Sequence, residues 1–100
     1  MPENAIVREM GCSRSEFVRW LPGATRQAEL HSSRHGEQER HRIITPGGTV
    51  VISTEAMAPR QIALMTLPVL RVIFDFVDMD AQAQADFMRY FDLYTRRGGG

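Results

Sequence analysis

The stretch VLRVIFDFV, residues 69–77, sorts its side chains onto two faces. Successive side chains of a strand point to opposite sides, so Leu70, Val72, Phe74 and Phe76 share one face and Arg71, Ile73, Asp75 and Val77 the other. The first face is wholly apolar and has to be covered by a second layer. The residues that follow supply a cover. Ala83, Phe87, Tyr90, Phe91 and Tyr94 recur at i, i+4, i+7, i+8 and i+11, the stripe of a helix laid on a core. Asp78 or Asp80 offers the N-cap, and Asp92 and Arg96 are spaced for an i, i+4 ion pair. Arg96 and Arg97 suit the C-terminal end of the dipole, and Gly98 is a natural stop.

Upstream, Thr49–Thr54 (TVVIST) is rich in β-branched residues and reads as a strand, with Pro46-Gly47-Gly48 as the turn before it. Ala58-Pro59 predicts a break, followed by a strand over Arg60–Thr66 that ends at Leu67-Pro68. Ala28 and Leu30 alternate with polar residues ahead of Ile43-Ile44, which predicts a hairpin across the polar stretch between them. Ala5–Met10 is a further strand. The segment Ser13-Arg14-Ser15-Glu16 fits a capping box opening a short helix with Phe17, Trp20 and Leu21 on its apolar face. Pro22-Gly23 is expected to end that helix.

These elements predict one α+β domain over residues 1–97, with a disordered glycine tail at 98–100. The expected architecture is two-layer: a curved, mainly antiparallel sheet of about five or six strands, in the order β-α-β-β-β-β(-β)-α, with both helices on one face. This order resembles the half-repeat of the TATA-binding-protein-like and helix-grip folds, a likeness of element order that carries no function across.

Composition narrows the function classes. The chain has 100 residues, 43% hydrophobic and 24% charged, and its formal net charge is zero, so no global field draws it to nucleic acid or to an anionic membrane. Every basic residue is Arg, which fits the coding bias of a GC-rich bacterial genome. The lone Cys12 has no intramolecular disulfide partner, and the first ten residues lack the pattern of a signal peptide. The longest apolar stretch is interrupted by Arg71 and Asp75. Together these predict a soluble, cytoplasmic protein.

The candidate chemistry lies in LHSSRHGEQERHRI, residues 30–43, which holds all three histidines. His31 and His35 have a helical HxxxH spacing, but Ser32, Ser33 and Gly36 favour a hairpin. A turn centred on Gly36 sets His31 opposite His41 and Ser33 opposite Glu39. His31, Glu39 and His41 then converge as candidate metal ligands or an acid–base group, while Ala28, Leu30 and Ile44 face the core. Arg34, Arg40 and Arg42 oppose a cation there. Cys12 precedes a helix start as in the phosphate loop of protein tyrosine phosphatases, but the position five residues beyond it is followed by Val18 where that loop needs Arg. An anion site at Gly11–Ser15 competes with the capping box for the same groups. Gly47-Gly48 belongs to no nucleotide-binding pattern, and the aromatics follow core periodicities instead of forming a stacking platform.

No nucleophile–base pair, closed ligand set or cofactor motif is visible. The expectation is therefore a non-catalytic binding or interaction module without a cofactor. Its partner is a protein, a second copy, or a small ligand held between the sheet and the last helix. The alternative is an enzyme built on the His31/Glu39/His41 face. A dimer is expected because apolar side chains in Arg60–Thr66 outnumber what a single cover can bury.

Overall fold

The computed structural model describes residues 5–96. Strand β1 spans Ile6–Met10, helix α1 Arg14–Ala24, β2 Glu29–His35, β3 Gln38–Thr45, β4 Gly48–Ile62, β5 Met65–Val77 and helix α2 Ala81–Arg96. The strands form one antiparallel sheet in the order β1-β5-β4-β3-β2. The glycine tail expected at 98–100 lies outside the described residues, as does Arg97.

The alternation in 69–77 holds. Leu70, Val72 and Phe74 are buried on the inner face, joined by Val50 and Ile52 of β4 and Ile43 of β3. Both helices cover this face, with Phe17 and Leu21 from α1 and Met88 and Phe91 from α2. The Phe74 and Phe91 rings meet edge to face, with centroids 4.9 Å apart at 82°. Opposite each other, the quadrupoles of two such rings attract.

Both helix starts follow their capping signals. The Ser13 hydroxyl accepts from the Glu16 amide, and the Glu16 carboxylate accepts from the Ser13 amide. Asp80 accepts from the Ala83 amide at 2.8 Å, which makes it the cap of α2. Asp92 pairs with Arg8 of β1 at 3.2 Å instead of with Arg96, so a tertiary contact takes the carboxylate that the i, i+4 spacing offered to its own helix.

Three boundaries differ from the sequence expectation. Helix α1 runs through Pro22 to Ala24, because Leu21 is fully buried and the Thr25 amide still reaches the Leu21 carbonyl beyond the proline. Arg26 and Gln27 then adopt left-handed φ values of 57° and 60° as the chain turns into β2. The expected separate strand over 60–66 does not exist: residues 60–62 end β4, Ala63-Leu64 turn, and β5 begins at Met65. The sheet therefore has five strands. Ala58-Pro59 is absorbed as a bulge between Met57 and Arg60, and Pro68 lies across from it. Prolines are tolerated there because this end of the hairpin has no further strand on either side.

That end is an arm. The pairing of β4 with β3 stops at Glu55, and that of β5 with β1 stops at Leu70. Past those points β4 and β5 pair only with each other as far as Ile62 and Met65.

Candidate functional site

The β2–β3 hairpin turns at Gly36-Glu37, with Gly36 at φ 64°. This two-residue loop pairs His35 with Gln38, so His31 lies opposite Arg42, Ser32 opposite His41, Ser33 opposite Arg40 and Arg34 opposite Glu39. A register centred on Gly36 alone would have been one residue different, and a one-residue shift exchanges the faces of one strand relative to the other. His31 consequently lies on the outer face, where it contacts Glu29 at 2.6 Å, while His41 is buried on the inner face. The expected convergence of His31 with Glu39 and His41 does not occur. Ile43, and not Ile44, faces the core. Among the described residues no group of three or more His, Cys, Asp or Glu side chains is placed to hold a metal ion.

Glu39 and His41 do come together, with His41 Nε2 3.8 Å from Glu39 Oε1. Arg14, from the first turn of α1, places its Nε 3.8 Å from the same carboxylate oxygen, and its terminal nitrogen donates to the Glu37 carbonyl at 2.7 Å. Arg34 approaches the other carboxylate oxygen at 3.9 Å. Across the hairpin the Ser32 hydroxyl lies 2.7 Å from His41 Nδ1. Phe17 covers the His41 ring from α1, with centroids 6.1 Å apart. Burial lowers the His41 pKa, and the nearby Glu39 carboxylate opposes that shift to a lesser degree. The imidazole is therefore neutral at pH 7. The Glu39 carboxylate beside Nε2 favours the tautomer with the ring proton on that nitrogen, and in that tautomer Nδ1 accepts from the Ser32 hydroxyl.

Arg14 Nε, Glu39 Oε1, His41 Nε2 and Thr54 Oγ1 are buried without a hydrogen-bond partner among the described residues. They are neighbours, since Thr54 pairs with Glu39 across β3 and β4. Arg14, Ser32 and Thr54 were missed from the sequence. A readable signal existed for the register: two-residue hairpin loops with Gly leading are common, and Gly36-Glu37 satisfies that preference.

Two other features are candidates. A half-open cavity of about 430 Å³ lies between α2 and the end of the sheet, lined by Ala28, Ile44, Met79, Ala83, Phe87 and Tyr90 among others. The Arg26 guanidinium stacks over the Tyr90 ring at 4.2 Å beside it. The second feature is the β4–β5 arm. Its register puts Met57, Arg60 and Ile62 of β4 with Met65, Leu67 and Val69 of β5 on the side continuous with the uncovered outer face of the sheet. Ile62 is 49% exposed, Met65 60% and Leu64, at the turn, fully exposed. Ile62 and Met65 face each other directly, whereas the expected strand would have put them on opposite faces.

Cys12 is buried, and its thiol is pushed up to about 11 by desolvation, with Glu16 adding to the shift. Such a thiol is a poor nucleophile. Compared with known proteins, the chain matches no family model, no curated protein and no solved structure. No described helix is long and apolar enough to cross a membrane.

Proposed function

We propose that this chain is a small non-catalytic interaction module that self-associates through the β4–β5 arm. The supporting observation is the apolar side of the arm, where Met57, Ile62 and Met65 are all more than a third exposed and adjoin Leu67 and Val69. Contiguous apolar surface of this kind is the ordinary mark of a contact that water should not occupy.

Strand addition is the less suitable mode, because Pro59 and Pro68 deprive the arm of ladder donors midway along both edges. Contact through side chains remains. Arg60 is the arm's charged residue, and it approaches Glu9 at 4.0 Å, so two arms bring little like charge together. A two-fold axis at the arm sets the apolar side of one copy against the same side of the other, the usual geometry of homodimers. The buried lone Cys12 agrees with a reducing cytoplasmic compartment.

Sedimentation velocity at tens of micromolar protein, an order-of-magnitude range for weak homodimers, tests the proposal. A dimer that becomes monomeric on combining Ile62→Ser with Met65→Ser is expected. A wild-type monomer across that range defeats the reading. The cavity beside α2 favours a second reading, a small apolar ligand. Its volume lies within the roughly 300–1,000 Å³ of small-molecule sites, and thermal stabilisation by a fragment that is lost in Ala83→Trp would support it.

A further inference from the structure

Ala24, Ala28, Gly47 and Ala83 are small residues brought together where the end of α1, the turn between β3 and β4 and the first turn of α2 meet. They leave the cavity of about 430 Å³ beside α2 unfilled. Its lining changes in character from inside to outside. Ala24 and Met79 are buried, Phe87 is partly buried, and Arg26 and Asp86 are exposed at the mouth. An apolar interior with a few polar groups is the usual make-up of a small-molecule site.

The two charges at the mouth differ in how they are engaged. Asp86 Oδ1 accepts from the side chains of Arg89 and Gln82, each at 3.0 Å. Among the described residues the ion pairs take up Arg8, Arg14, Arg34, Arg60 and Arg89, and Arg26 is in none of them. Its guanidinium instead lies over the Tyr90 ring, 4.2 Å from the centroid. Stacking of this kind uses the face of the planar group and occupies none of its N–H donors, so the fork stays available to a carboxylate. One guanidinium with Asp86 at the same mouth suits a single negative charge and opposes a second, such as that of a phosphate monoester.

We infer that this cavity binds a small apolar carboxylic acid as its monoanion. Arg26 holds the carboxylate at the mouth, and the apolar tail lies inside against Phe87 and Met79. The inference rests on the reading of the cavity as a site for an apolar ligand, to which it adds the head group. It is independent of the arm.

The test is an NMR titration of the ¹⁵N-labelled full chain with cinnamate and, separately, cinnamamide, which has nearly the same shape and no charge. Cinnamate is expected to shift the amides of residues 25–28 and 83–90. It is expected to bind about tenfold more tightly than the amide, the effect of one hydrogen bond to a charged group. Arg26→Gln is expected to remove most of that preference while the amide still binds. Because the two probes are compared on the wild-type chain, a misfolded variant does not spoil the test. Binding of the amide as tight as that of the acid overturns the head group and leaves the apolar-ligand reading standing. A preference that survives in Arg26→Gln overturns the role of Arg26. If neither probe shifts these residues, the inference and the reading beneath it fall together.

Discussion

The Ser32 hydroxyl lies 2.7 Å from Nδ1 of His41 across β2 and β3, the one hydrogen bond that the buried ring makes among the described residues. Ser32 is exposed and His41 is not, so the pair joins the rim of the hairpin to the core. Removing the serine hydroxyl would leave the ring without a partner at either nitrogen. Ser32→Ala should therefore cost about 1–3 kcal/mol, whereas combining it with His41→Leu, an apolar pair of similar size, should recover much of that loss. Urea denaturation of the two variants compares them directly. Equal loss in both would show that the hydrogen bond is not what the site needs.

The same ring makes stability depend on pH. Desolvation holds the folded His41 below its ordinary value of 6.5, with Glu39 opposing, so between the two values the unfolded chain binds more protons than the folded one. The contribution is fully present above 6.5 and is lost as pH falls through the folded value. The charged groups facing the ring are Glu39 and, beyond it, Arg14 and Arg34. Denaturation midpoints should fall on acidification below that point, and the slope should flatten in the Ser32→Ala/His41→Leu double variant. An unchanged slope would assign the effect to other groups.

Gly48 begins β4 at φ 142°, and a Cβ there would meet the Asp78 carbonyl oxygen at 2.6 Å. The other near atoms are the Asp78 carbonyl carbon and the Met79 Cβ, neither of them the end of a flexible side chain that could yield. Gly48→Ala should lower stability by at least about 1–3 kcal/mol, the range for one strained backbone position. Gly36→Ala also suffers from a positive φ but meets open space, so its loss should be smaller. Equal thermal shifts in the two variants would contradict the steric part of this account.

Phe91 joins the two layers, contacting Phe74 from the sheet and Phe17 from α1. Phe91→Ala is expected to cost about 3–5 kcal/mol, much of what holds a small domain together. Loss of the cooperative transition in circular dichroism is the expected reading.

The buried thiol of Cys12, with its pKa near 11, should react slowly with a disulfide reagent at pH 8 in the native protein and rapidly in denaturant. Comparable rates in the two states would place the sulfur at the surface.

Much of the fold was written locally. The alternation of Leu70, Val72 and Phe74, the stripe containing Phe87 and Phe91, and the caps at Ser13 and Asp80 each depend on residues a few positions apart, where periodicity and hydrogen-bonding chemistry act directly. The prolines misled because a strand's tolerance of Pro depends on whether another strand lies beside it. That is why β4 and β5 run through Pro59 and Pro68 without breaking.

The candidate site was legible by half. The sequence alone determined that Glu39 and His41, two residues apart on a strand, would share a face, and that His31 and His41 would belong to the two arms of a hairpin. Which face each histidine took rested on one residue of register, and the two-residue turn at Gly36-Glu37 decided it. Arg14 joins Glu39 from 25 positions away because the start of α1 lies beside the hairpin, where Arg14 reaches the Glu37 carbonyl and Phe17 meets the His41 ring. Local chemistry chose the elements; the sheet register and the seating of the helix chose which polar atoms were left facing one another.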